Sequence, residues 1–141
     1  MRFNVVGMKV LGQEGNIIKI SHPEGGCRVC SEGFFGYYDK NNARSFFEFV
    51  FSKEHQGPPG YAHGGYIALF LDEVMSFSTY DYFPALLGKI EIMYKKSVPL
   101  NQKVLFESEI KKVDTRKIFV SGSITIDGKK IVESHGVYVR I

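Results

Sequence analysis

The chain has no tryptophan, two cysteines and five prolines among its 141 residues. Few prolines and an apolar content of 44% exclude a disordered chain and leave one domain with room for a real core. No apolar run approaches the roughly 20 residues that cross a bilayer, and no basic–apolar–small pattern opens the sequence as a secretion signal. A cytoplasmic protein without a membrane partner is therefore the expectation. Charge of one sign is also scarce: a net charge of +3 is too small and dispersed for nucleic acid, although it suits a phosphorylated small molecule.

The two cysteines, Cys27 and Cys30, form a single Cys-x-x-Cys. A closed zinc site takes four ligands, and no second pair is present. His22 would make a third ligand. The simpler expectation is two reduced thiols on a strand or turn and no metal, with Cys27, Cys30 and His22 as the weakest alternative.

What the chain does have is aromatic rings, 12 Phe and 8 Tyr, which favour pleated faces. Two extended runs, Phe3–Val10 and Asn16–Ile20, flank the turn Gly12-Gln13-Glu14-Gly15, and His22 to Gly26 is turn-rich. Gly33–Tyr38 and Ser45–Ser52 read as a strand pair across Asp39-Lys40-Asn41-Asn42. Gly64–Tyr80 is the one segment long enough for a substantial helix. Its apolar residues cover nearly the whole circumference, so a sheet should wrap around it. Ser76, Ser78 and Thr79 are expected at a fraying end before Pro84. Lys89–Val98, Lys103–Val113, Arg116–Ile126 and Lys130–Arg140 then read as four antiparallel strands, the last two joined by Asp127-Gly128. The expected architecture is α+β, a long antiparallel sheet curled round one central helix. Residues 1–26 form an N-terminal extension and 27–141 the core.

The most informative stretch is Gly57-Pro58-Pro59-Gly60-Tyr61-Ala62-His63-Gly64-Gly65, running into Leu71-Asp72-Glu73. The prolines stiffen the approach, and the glycines leave N–H groups uncovered where a helix begins. A helix N-terminus suits an anion or a polarised carbonyl oxygen. Asp72, two turns on, is a candidate nucleophile or base. Glu73 points about 100° away and reads as structural or rim.

These motifs, in this order, resemble the hotdog-fold acyl-coenzyme A thioesterases, and more narrowly their phenylacetate-pathway branch. The resemblance runs from Cys27-Arg28-Val29-Cys30 through Gly57-Pro58-Pro59-Gly60, His63-Gly64-Gly65 and Leu71-Asp72-Glu73-Val74-Met75 to Tyr94-Lys95-Lys96-Ser97-Val98-Pro99-Leu100. In that last motif the family has proline at the place of Ser97. The resemblance implies hydrolysis of an acyl-coenzyme A to a carboxylic acid and free coenzyme A, with no cofactor. It places the oxyanion donor at the Gly65 N–H beside Gly64, and the catalytic acid at Asp72. His63 would orient the loop or the thioester, or simply cap the helix. His55 or Gln56 would position substrate or water. Lys95 and Lys96, with Arg116 and Lys117, are candidates for the coenzyme phosphates. Of Tyr66, Phe70, Phe77, Tyr80 and Phe83, some are candidates for an acyl pocket between helix and sheet, and most read simply as core.

Relatives carry a threonine or serine where this chain has Leu87, and Ser76, Ser78 or Thr79 are possible stand-ins. The missing hydroxyl keeps open a non-catalytic acyl-coenzyme A-binding hotdog domain. An acyl-carrier-protein thioesterase or a hydratase on the same fold is also compatible. Gly65 and Asp72 are seven residues apart, roughly 10 Å along one helix axis, whereas reacting atoms must approach within about 3–3.5 Å. One helix does not supply both groups to one carbonyl. Two helices crossing a twofold axis do, which predicts a homodimer with composite sites, or two such dimers in a tetramer.

Overall fold

The computed structural model describes residues 7–23, 27–30 and 33–141. Eight strands and one long helix follow in the order β1 (Lys9–Glu14), β2 (Ile17–Ser21), β3 (Gly36–Asp39), β4 (Arg44–Val50), α1 (Gly64–Ser78), β5 (Ala85–Tyr94), β6 (Lys103–Asp114), β7 (Lys117–Ile126) and β8 (Lys129–Arg140). All strands join one antiparallel sheet in the order β1-β2-β3-β4-β6-β7-β8-β5. Alternation decides which face meets the helix: Phe47, Val104, Phe106, Val120, Ile124, Val132 and Tyr138 all point inward and are buried.

Helix α1 lies against that inner face. Its second half is buried almost all round, with Leu71, Val74, Met75 and Phe77 fully enclosed. The approach is close enough to need glycine at the contact: a Cβ on Gly36 would sit 2.6 Å from the Phe77 ring, and one on Gly122 would sit 3.0 Å from Met75 Cγ. The hairpin between β7 and β8 turns at Asp127 and Gly128, both at positive φ, as their sequence predicts.

Several boundaries differ from the sequence expectation. Residues 3–6 and 24–26, parts of two expected segments, lie outside the described residues. Strand β1 runs to Glu14, so the expected turn at Gly12–Gly15 narrows to Gly15-Asn16. The extension's strands β1 and β2 continue the sheet through β3, and Ile18 and Ile20 sit in the core. Strand β5 begins and ends four residues earlier than expected, because Ala85–Leu87 already pair with β8.

The helix end does not fray. Ser76, Ser78 and Thr79 are buried: Ser78 Oγ donates to Met75 O at 2.7 Å and Thr79 Oγ1 to Ser76 O at 2.6 Å. Local side-chain bonds to the preceding turn satisfy hydroxyls that periodicity alone assigns to solvent. Ser108 Oγ then reaches Ser78 Oγ at 3.1 Å, and Ser45 Oγ donates to Val74 O, tying β6 and β4 to the helix.

Candidate active site

The approach Gly57–Gly60 turns back on itself through an antiparallel bridge between Gln56 and Ala62, and the Gln56 side chain accepts from Gly60 N–H at 2.9 Å. His63 N–H donates to His55 O at 2.8 Å, and the His55 ring meets the Tyr66 ring edge-on at 5.0 Å. His55, Gln56, His63, Gly64 and Gly65 are thus brought to one place, the N-terminal end of α1. Tyr94 closes it from β5, its hydroxyl donating to Gly64 O at 2.8 Å.

His63 is the N-cap of α1, and its Nδ1 accepts from Gly65 N–H at 2.8 Å. The imidazole does what a serine or aspartate side chain usually does at this position. The backbone donor that the sequence nominates for an oxyanion is therefore held by the neighbouring side chain.

Asp72 stands apart from this group, two turns along α1. It is partly buried, and Tyr138 of β8 donates its hydroxyl to Asp72 Oδ1 at 2.5 Å and to Asp72 O at 3.1 Å. Burial pushes the Asp72 carboxyl above the usual carboxylate range; the Tyr138 hydrogen bond and the charge of His22 pull it back without offsetting burial. Burial, with the neighbouring carboxylate, raises Tyr138 in turn. A carboxylate poised this way is a competent base or nucleophile.

Tyr138 is a residue that the sequence reading passes over. It pairs directly across the sheet with Leu87, so the two side chains share one face. A hydroxyl absent at Leu87 is present one strand away, already on Asp72. The signal for it was the inward row Val132, Ser134, Gly136, Tyr138 in β8, combined with the turn of α1 that faces it.

The other predicted residues divide. Lys95 forms an ion pair with Glu133 at 2.5 Å, and Lys96 is exposed beyond β5. Arg116 is turned to Arg140 O at 3.0 Å. Phe70 and Phe77 are core rather than pocket, packed on Phe34, Phe49 and Phe51, while Tyr66 is 39% exposed beside the His55 loop. Glu73 is not at a rim. It is 5% exposed and receives both cysteines, Cys27 Sγ at 3.2 Å and Cys30 Sγ at 3.3 Å.

One sheet curled about a single buried helix, glycine-led at its start and bearing an acid against the sheet, is the hotdog architecture. No family model matches the chain. The sequence is 32% identical to acyl-coenzyme A thioesterase THEM4 of Mus musculus over 107 residues, 74% of this chain and 46% of that protein. Among solved structures, a thioesterase superfamily protein overlays with a TM-score of 0.69 at 27% identity, covering 74% of this chain and 52% of the other. A Streptococcus mutans protein, smu.793, bound to acetyl-coenzyme A, overlays with a TM-score of 0.66 at 18% identity over 70% of this chain and 81% of its own. The chain belongs to the hotdog-fold thioesterase superfamily. It spans about half the length of the curated relatives it matches. Among the described residues, no helix is long and apolar enough to cross a membrane.

Proposed function

We propose that this chain hydrolyses acyl-coenzyme A thioesters at a site shared by two copies of itself. The observation that carries the reading is Asp72, a carboxyl of raised pKa held by Tyr138 on the helix that Gly64 and Gly65 open. Kinship with acyl-coenzyme A thioesterase THEM4 supports the substrate class. In this scheme the Gly65 N–H of one copy, aided by the helix dipole, receives the oxygen of the thioester carbonyl. A donor in such a position is worth roughly 3–4 kcal/mol in the transition state. Asp72 of the second copy activates water, or attacks the carbonyl to give an anhydride that water then hydrolyses. In either case the carbonyl–sulfur bond breaks, the acyl group leaves as the acid, and coenzyme A leaves as the thiol with a proton from water.

His63 gives up Gly65 N–H when the carbonyl enters, so its cap acts as a gate. His55 and Gln56 hold the loop that positions the thioester, while Lys96, and Lys95 once it leaves Glu133, meet the coenzyme phosphates. The acyl chain enters beside Tyr66.

The dimer is supported by the edge strand β5, where Leu86, Leu87, Met93 and Tyr94 are 36–49% exposed. An unpaired apolar edge is a ready surface for a second copy of the same strand. A tetramer would pair two such dimers. Free Cys27 and Cys30 suit the reducing cytoplasm.

A second reading is favoured by one contact: Gly65 N–H is occupied by His63, as in a domain that binds acyl-coenzyme A without turning it over. Hydrolysis of thioesters from acetyl to palmitoyl, with phenylacetyl and benzoyl, by wild type and Asp72→Ala separates the two. Turnover that collapses in the variant supports the enzyme. Calorimetric binding with no turnover on any substrate supports the sensor.

A further inference from the structure

The Cys-x-x-Cys does not stand alone in the fold. His22 follows β2, Cys27 and Cys30 flank a turn before β3, and Glu73 projects from α1. One ligand atom from each lies within 4.8 Å of every other. His22 Nδ1 is 3.1 Å from Cys30 Sγ and 3.2 Å from Glu73 Oε2. The Glu73 carboxylate spans both sulfurs at 3.2 and 3.3 Å. We propose that these four residues form a closed divalent-metal site, with zinc the cation that they select.

The spacing fits. Zinc bonds of about 2.3 Å to sulfur and about 2.0–2.2 Å to nitrogen and oxygen put tetrahedral donor atoms roughly 3.3–3.8 Å apart. The contacts of 3.1–3.3 Å need to open by a few tenths of an ångström, and the widest pair, within 4.8 Å, to close by up to about 1 Å, to surround the ion. The donor set fits as well: two soft thiolates with an imidazole suit zinc over calcium or magnesium, and the carboxylate completes four-coordination.

The outer layer is built for the same purpose. His22 Nε2 lies 2.8 Å from Ser76 Oγ, an oxygen able to accept the Nε2 proton and so leave the Nδ1 lone pair for a metal. The His22 ring stacks on Phe77 with centroids 4.9 Å apart, which fixes its plane. A buried carboxylate, an imidazole and two thiols at one point must otherwise share protons among themselves, and thiols are weak donors. A cation replaces those protons with four bonds.

Four protein ligands leave no open position, so the metal is structural rather than a reagent. It joins β2 and the cysteine turn to α1 at the residue next to Asp72. Neither the site nor its test depends on the thioesterase reading.

The full chain, purified reduced and without chelator, should carry about one zinc per chain by elemental analysis. Cobalt(II) in its place should give thiolate-to-metal charge-transfer absorption and the intense visible bands of a tetrahedral centre. Cys27→Ser, at a half-buried position, should keep its circular dichroism, lose about half of the charge-transfer intensity, since Cys30 remains, and release zinc to a chromogenic chelator at least tenfold faster. Glu73→Gln serves as a second variant read by the same cobalt spectrum. Zinc should also slow reaction of both cysteines with a thiol reagent in the folded protein. Octahedral cobalt spectra, or thiol reactivity unmoved by zinc with wild type and Cys27→Ser releasing metal alike, would overturn the site.

Discussion

Tyr138 and Asp72, 66 residues apart in sequence, share a 2.5 Å hydrogen bond that joins the last strand to the middle of the central helix. The same hydroxyl reaches the Asp72 carbonyl oxygen at 3.1 Å, so it fixes both the side chain and the turn that carries it. A carboxylate needs such an anchor to keep one geometry through a reaction.

Tyr138→Phe keeps the buried ring and deletes only the donor. A hydrogen bond to a charged group is worth about 1.5–3 kcal/mol, so kcat/KM on the best thioester should fall roughly 10- to 100-fold. Most of the loss should appear in kcat. Unchanged kinetics would mean that Tyr138 serves the fold alone.

Asp72→Asn should lower kcat by at least about 100-fold, the range for a lost base or nucleophile, while coenzyme A binding by calorimetry stays within a few-fold. Thermal stability should hold or rise, because the variant removes a carboxyl whose ionisation burial disfavours. A variant that hydrolyses at the wild-type rate would remove Asp72 from the chemistry.

His63→Ala removes the N-cap of α1 and should cost about 0.5–2 kcal/mol in urea denaturation. If His63 gates Gly65 N–H, the same variant should show a lower KM, with the donor free before substrate arrives. A raised KM with unchanged kcat would instead assign the imidazole to substrate binding.

Tyr38 is fully buried and donates to Asp81 Oδ2 at 2.7 Å. Burial first, and then the hydrogen bond and charge of Asp81, raise its pKa above the unfolded value of about 10. The unfolded phenol ionises first, so this stability is whole below pH about 10 and is lost as pH rises beyond it. Denaturation midpoints measured from pH 8 to 11 should fall at the alkaline end, and less steeply in Tyr38→Phe. Parallel curves for the two proteins would contradict the assignment.

Gly36→Ala tests the helix contact. Its Cβ would lie 2.6 Å from the Phe77 ring, closer than packed carbons approach, so the helix or the strand must shift. Overpacking of this kind costs about 1–3 kcal/mol, read as a lowered melting temperature. A variant as stable as wild type would show that Phe77 has room to move.

Local chemistry was legible in the sequence. Period-two alternation placed β6, β7 and β8, Asp127-Gly128 set their hairpin, and the apolar run from Ile67 to Phe77 declared one enclosed helix. Prolines, glycines and Asp72 on that helix marked the region where the site was expected. Each of these signals acts through near neighbours in the chain, by φ restriction, hydrogen bonding or side-chain period. The contacts that give Asp72 its properties act differently. Tyr138 meets it only because β8 crosses beneath that turn of α1. Glu73 meets Cys27 and Cys30, 46 and 43 residues away, only because the cysteine turn is packed against the same helix. His63 faced Gly65 from two residues off, yet whether it capped the helix or faced substrate depended on the loop that His55 and Gln56 brace. The sequence by itself determined the elements and their apolar faces, since those follow from local sterics and burial. Tertiary structure alone decided which distant polar groups meet, since long-range packing sets their distances and their burial sets how strongly they interact.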